Sequence, residues 1–196
     1  MNDAHAEQQP VVAKTGIAVA RRVLLNDGVI AYPTEGVFGL GCMPGSIDAV
    51  ARILSMKKRD PAMGLLLIAS RQEQLEPWID QQRVSGELES SLEHPLTWVV
   101  DAAPDLPYWI GGRHSGVAVR ITRHSTAAAL CDAVDSALIS TSANQSGRQP
   151  ARNTYVLRRQ FGDLVDFVVP GDLGPARGPS EIRVYDSDQT LRPANA

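Results

Sequence analysis

Three polar segments of this chain carry residue types that bind and neutralise anions: Tyr32-Pro33-Thr34-Glu35, Lys57-Lys58-Arg59 and Ser140-Thr141-Ser142-Ala143-Asn144. The third gives the strongest signal. From Ser140 to Gly147 the chain concentrates four hydroxyls, an Asn and a Gly behind an apolar run, whereas an ordinary turn is satisfied by Asn-Gly alone. In the second segment Arg59 offers a bidentate fork and Lys57 a mobile point charge, both suited to phosphate or carboxylate oxygens. The same cations also complement the negative end of a helix dipole, so this segment alone leaves ligand and helix cap both open. Thr34 follows an apolar run and precedes Gly36, Gly39 and Gly41, a Gly-rich turn in which a hydroxyl can approach a ligand closely. A simple turn capped by Thr34 is the alternative.

Several chemistries are excluded by pattern. Neither G-x-x-x-x-G-K-[ST] nor a strand-borne G-x-G-x-x-G occurs, so no P-loop or dinucleotide fingerprint is present. G-x-S-x-G is missing, and His114 and His124 have no recognisable orienting partner for a serine triad. H-E-x-x-H is absent, and Cys42 and Cys131 stand alone without C-x-x-C spacing, so no protein-held metal and no disulfide scaffold are expected. A polar start without an apolar run and the lack of any apolar stretch near 20 residues point to a cytoplasmic chain with no membrane partner.

The elements that must position these segments follow from periodicity. Helices are expected over Val12 to Asn26, with Thr15 as N-cap and Gly28 past the end, over Ile47 to Lys57 behind Ser46, over Ser125 to Val134, and over Asn153 to Phe161. Strands are expected over Val29 to Tyr32, Leu65 to Ala69, Thr97 to Val100, Val117 to Ile121, Ala137 to Ser140, Phe167 to Val169 and Ile182 to Tyr185. The acidic stretch from Gln72 to Glu93 reads as two short surface helices. Helices and strands interleave, but the last two strands are too close for a helical crossover. The fold class is therefore α/β: one domain over residues 13–193, a twisted mixed sheet with packed helices, after a flexible segment over residues 1–12. Loops at strand ends are where such a fold places its site.

Charge sharpens the expectation. The chain carries a net −3, yet Arg113, Arg120, Arg123, Arg148, Arg152, Arg158 and Arg159 face only Asp132 and Asp135 between residues 111 and 160. That asymmetry predicts a locally basic concave cleft that draws anionic ligands.

Taken in order, the segments resemble the YrdC-like family of threonylcarbamoyl-AMP synthases. Tyr32-Pro33-Thr34-Glu35 is similar to its early P-T-[ED] motif and Lys57-x-Arg59 to its K-x-R signature. Val117-Ala118-Val119-Arg120 with His124 is similar to its V-A-V-R-x-x-x-H strand. Ser140 to Asn144 is identical to S-T-S-A-N, and Pro179-Ser180-Glu181-Ile182 resembles its closing P-S-x-I. The resemblance implies a YrdC-like fold and the joining of L-threonine, bicarbonate or CO₂, and ATP into threonylcarbamoyl-adenylate and pyrophosphate. A separate tRNA-modifying transferase complex then moves the group onto the adenosine next to the anticodon.

It further implies Lys57 and Arg59 as catalytic, charge-neutralising groups, with Lys57, Arg59, Thr97, Ser142 and Asn144 on ATP. Thr34, Arg120, Ser140 and Ser180 would hold L-threonine, and Mg²⁺ would arrive bridging the phosphates. This chain departs from the family's pattern at Met63, where relatives carry a polar or basic residue. It also departs at Leu92-Glu93-His94-Pro95-Leu96-Thr97, where the Trp and Gly of the usual turn are missing. No second domain is expected after Pro193. The arginine-rich stretch motivates one alternative of another class, a non-catalytic module binding tRNA or double-stranded RNA through phosphate contacts.

Overall fold

Short strands buried on both faces set the architecture. The computed structural model describes residues 4–194, with side chains from Lys14 onward. Helix α1 (Ala4–Leu24) leads into β1 (Ile30–Pro33), β2 (Phe38–Cys42), α2 (Ile47–Lys57) and β3 (Leu66–Ala69). Then come β4 (Leu96–Asp101), α3 (Tyr108–Gly111), β5 (Gly116–Ile121), α4 (Ser125–Val134) and β6 (Leu138–Ser142). The chain closes with α5 (Thr154–Phe161), β7 (Phe167–Val168), β8 (Glu181–Val184) and β9 (Thr190–Arg192).

Among the described residues the nine strands form one mixed sheet, ordered β7-β1-β2-β6-β3-β5-β4-β8-β9. The β1–β7, β3–β5 and β4–β8 pairs are parallel and the rest antiparallel, as expected for an α/β sheet without a crossover helix at every step.

The two faces of the sheet are covered unequally. Leu67, Ala69, Val117, Val119, Ile121 and Ile139 pack with Ala49, Val50, Ile53 and Leu54 of α2 in one core. Ala31 and Leu40 pack with Leu157 and Phe161 of α5 on the same side. On the other side Ile30, Tyr32, Ile68 and Leu138 meet Ala20 and Leu24 of α1 and Ala127, Leu130 and Cys131 of α4. These two helices cover only part of that face, and the remainder is open.

Local chemistry explains the element ends that matter. Ser46 caps α2 by accepting a hydrogen bond from the Ala49 amide, and Lys58 ends it in a left-handed conformation (φ 51°). That turn leaves Lys58 exposed while Lys57 is buried.

Four sequence expectations change. Helix α1 begins at Ala4, which puts Thr15 inside the helix rather than at its cap; the segment expected to be flexible, residues 1–12, falls outside the described side chains. Gly39 and Gly41 belong to strand β2, not to a turn. The stretch from Gln72 to Glu93 holds one 3₁₀ helix, Gln72–Trp78, which carries Pro77, and then irregular chain. Strand β9, which no periodicity signalled, closes the sheet edge with three exposed residues.

Candidate active site

The open part of the sheet face is the floor of a cavity of about 790 Å³. Register explains why its lining residues meet. Leu66 on β3 sits opposite Ser140 on β6 and Ala118 on β5, and Ala118 is opposite Val99 on β4. One row further on, Thr97 pairs with Ile182 on β8, which pairs with Arg192 on β9. Side chains alternate faces with period two, so this row projects to one side across the sheet. The site therefore rests on mid-strand residues as well as on the strand-end loops expected from the sequence.

Seven of the nine expected site residues line the cavity: Thr34, Arg59, Thr97, Arg120, Ser140, Ser142 and Ser180. Lys57 and Asn144 do not. Lys57 is 4 % exposed, and its Nζ donates to the Ser142 carbonyl, to the Asn144 carbonyl at 2.9 Å and to Asn144 Oδ1 at 3.3 Å. Asn144 Oδ1 also accepts from Ser142 Oγ at 2.7 Å, while its Nδ2 donates to the Gln145 and Arg148 carbonyls. The polar atoms of both side chains are engaged inside the loop in this structure. Their place is behind the cavity wall. Burial, and then the neighbouring Arg59, push the Lys57 ammonium down to about 8.

Arg120 is held by Glu35. The two form an ion pair at 3.4 Å with the carboxylate side chain 1 % exposed. Glu35 Oε1 accepts from Thr122 Oγ1 at 2.6 Å and from the Arg123 amide at 3.2 Å. Burial pushes this carboxyl upward, but Arg120, Thr122 and Arg123 together hold it below the usual carboxylate range. The Thr34 hydroxyl donates to the Val37 carbonyl at 2.7 Å and fixes the turn that presents Glu35. Thr97 and Ser180 hydroxyls hydrogen-bond each other at 2.7 Å. The Thr97 position thus survives the altered Leu92 to Leu96 turn because β4–β8 pairing, not that turn, places it.

The wall contains a cation that the sequence reading missed. Arg192 on β9 lines the cavity and donates through Nε and Nη2 to the Ser180 carbonyl at 3.1 and 2.7 Å. Burial first, then Arg120 and Arg59, lower its pKa, as expected for cations gathered without enough counter-charge. Only the strand order brings it here, so no sequence-local signal marked it. Conversely, of the seven arginines between residues 111 and 160, only Arg113 and Arg120 reach the cavity. Met63, in place of a polar group, lines its mouth half-exposed.

Arg59, Arg113, Arg120 and Arg192 face a single lining carboxylate, Glu35, which is already committed. Among the described residues no group of three or more His, Cys, Asp or Glu could hold a metal ion. No helix among them is long and apolar enough to cross a membrane. A mixed α/β sheet with hydroxyls on the cavity floor and arginines in its wall defines an enzyme-like pocket for an anionic, oxygen-rich ligand.

Known proteins narrow the class. Residues 22–194 match the Sua5/YciO/YrdC family, described as telomere recombination. A threonylcarbamoyl-AMP synthase of Nitrosococcus oceani is 46% identical over 178 residues, 90% of this chain and 96% of the relative. One from Klebsiella pneumoniae is 46% identical over 171 residues, 85% and 90% of the two chains. P. abyssi Sua5 complexed with L-threonine superposes with a TM-score of 0.79 at 25% identity, over 91% of this chain and 54% of that one. This chain thus spans about half of P. abyssi Sua5. E. coli YciO shares the fold with a TM-score of 0.75 at 20% identity, covering 91% and 88%. The chain belongs to the Sua5/YciO/YrdC family.

Proposed function

We propose that this protein is a threonylcarbamoyl-AMP synthase, a nucleotidyltransferase that makes L-threonylcarbamoyl-adenylate and pyrophosphate from L-threonine, bicarbonate or CO₂, and ATP. The observation that carries the reading is the convergence of Arg59, Arg120 and Arg192 over the Ser140 and Ser142 hydroxyls in one cavity. The names of the relatives above, threonylcarbamoyl-AMP synthases, support the reading.

The threonine amine adds to CO₂ and loses a proton to give a carbamate. A carbamate oxygen then attacks the α-phosphorus of ATP, and pyrophosphate leaves. The carbamate, ATP, the adenylate and pyrophosphate are all anionic, so fixed cations and donors provide the catalysis and no covalent protein nucleophile is needed. Arg120, steadied by Glu35, binds the amino-acid carboxylate. Arg59 and Arg192 neutralise charge along the phosphates, and Ser142 with Thr97 contacts the nucleotide. Lys57 and Asn144 shape that contact from behind rather than touching ATP. Mg²⁺ would come with ATP and supply charge neutralisation at the phosphates, since Glu35, the one carboxylate lining the cavity, is engaged by Arg120, Thr122 and Arg123.

The test is pyrophosphate release from ATP, Mg²⁺, L-threonine and bicarbonate. Turnover must require threonine and bicarbonate; release that persists when either is omitted overturns the reading. Arg59→Ala is expected to lower kcat/KM by roughly 100-fold, as for loss of one preorganised charge-stabilising donor.

Lys57 adds a pH signature. Its pKa of about 8 lies below the usual 10.5, so between these values the unfolded chain binds more protons than the folded one. Folding stability therefore gains with rising pH across that window. Activity goes the other way, because the neutral amine has one donor fewer for the three oxygens it holds. Denaturant melts and initial rates compared from about pH 7.5 to 9.5 should diverge in this sense.

Transfer to tRNA requires partner proteins, and an exposed surface is available for such contacts. Arg148, Arg152, Arg158, Arg159 and Arg177 are exposed and, among the described residues, form no ion pair. Exposed Tyr155 lies in the same helix as Arg158 and Arg159. This surface suits RNA phosphates as an adjunct to catalysis. Two buried free thiols, Cys42 and Cys131, support a reducing cytoplasm as the compartment.

A further inference from the structure

The glycines of β2 remain unexplained by the site, and they lead to Tyr32. Tyr32 is on β1, opposite Gly39 of β2. A Cβ on Gly41 would stand 2.8 Å from Tyr32 Cε1, and one on Gly39 would stand 3.4 Å from Tyr32 Cζ. The ring therefore lies across the neighbouring strand, in ordinary contact range of Gly39 and over ground that a side chain at Gly41 would occupy. Beyond it the phenol reaches β6, one strand further, and donates to Ser140 Oγ at 2.8 Å. Tyr32 itself is fully buried in the core beneath α1 and α4, so this hydroxyl has no water to turn to. Burial pushes its pKa well above the ordinary value, and it remains a donor at every working pH.

The consequence falls on Ser140. A serine hydroxyl has one proton and two lone pairs. Tyr32 engages a lone pair, while no carbonyl or carboxylate among the described residues takes the Ser140 proton. Two neighbouring hydroxyls of the wall are already spent as donors. Thr34 gives its proton to the Val37 carbonyl and Ser142 gives its proton to Asn144 Oδ1. Ser140 lines the cavity with its donor unclaimed, on the same floor that Arg120 flanks.

We propose that Tyr32 is a positioning residue that fixes Ser140 as a hydrogen-bond donor to an anionic oxygen of the amino-acid substrate. The inference rests on the synthase reading for the identity of that substrate. The oxygen belongs to the carboxylate or the nascent carbamate, both of which accept and neither of which donates. An unheld serine would rotate and spend part of its time presenting a lone pair to that negative charge. Gly41 leaves the space over which the aromatic ring crosses the strand, where a Cβ would meet both the Ile139 carbonyl at 2.7 Å and the ring at 2.8 Å.

The experiment combines Tyr32→Phe with Ser140→Ala in a double-mutant cycle, with folding checked by thermal melts. Tyr32→Phe is expected to raise KM for L-threonine about tenfold while KM for ATP stays unchanged. In the Ser140→Ala background the same substitution should have no further effect on threonine. Equal rises in both KM values, or a full tenfold effect added on top of Ser140→Ala, would show that the phenol merely supports the core, and would overturn the proposal. The Ser140→Ala single variant reads threonine KM with the Tyr32 ring intact; an unchanged value there overturns it as well, whether or not Tyr32→Phe folds. Wild-type protein that releases no threonine-dependent pyrophosphate defeats the synthase reading instead, so the two failures are distinguishable.

Discussion

Lys57→Met is expected to lower adenylate formation by about 100-fold or more while leaving the melting temperature nearly unchanged. The activity loss follows from what Lys57 holds. Its ammonium ties the Ser142 carbonyl, the Asn144 carbonyl and Asn144 Oδ1 into one arrangement, and Ser142 lines the cavity proposed above for the nucleotide. Without that tie the loop relaxes, and displacement of a binding group by about 1 Å costs on the order of 100-fold.

Stability is balanced by opposite contributions. Burying the ammonium, which lowers its pKa from 10.5 to about 8, costs roughly 3 kcal/mol, and methionine removes that cost. Three oxygens lose their donor, at about 1 kcal/mol each. Initial rates with ATP varied, set beside thermal melts, check both halves. A variant that melts early and is inactive only in proportion to its unfolded fraction would assign Lys57 to the core alone.

Glu35→Gln is expected to reduce both stability and the affinity for threonine. The carboxylate is the buried partner of Arg120, and breaking such a pair from one side leaves a charge without compensation, at about 3 kcal/mol. In a domain of this size that corresponds to a fall of roughly 10 °C in the melting temperature. The amide can keep the hydrogen bond with Thr122 but cannot neutralise the guanidinium, so Arg120 loses its fixed orientation and KM for threonine rises.

Acid melts give an independent signature. Because the folded-state pKa of Glu35 lies below its usual 4.5, its contribution is present above that value and lost as pH falls through the folded one. Wild type should show this acid-side loss, and Glu35→Gln should show less of it. Identical pH slopes in the two proteins would argue that Arg120 is compensated by some other group.

Much of the molecule was legible in local pattern. The 3.6-residue spacing of apolar positions behind Ser46 specifies α2, and the same signal gives α4 and α5, because each helix buries one stripe against the sheet. The ordered motifs likewise pointed to the family that the comparisons support. Strand β2 was hidden because Gly39 and Gly41 read as turn residues, whereas both are paired within the sheet and Gly41 leaves room for the Ile139 carbonyl and the Tyr32 ring. Strand β9 was hidden because it is three residues long at a sheet edge and shows no alternation of buried and exposed positions.

The amino-acid sequence by itself determined the inventory: arginines and clustered hydroxyls, on a chain patterned to fold as a mixed sheet with helices. Tertiary structure alone decided their assignments. Lys57 and Arg59 stand two residues apart, yet the left-handed turn at Lys58 sends one behind the wall and the other into the cavity. Arg192 and Ser180, far along the chain from Thr97 and Arg120, arrive beside them through strand pairing. The physical reason is that a side chain's role depends on what neutralises or satisfies it. Those partners come from strands distant in sequence, and a local reading cannot place them.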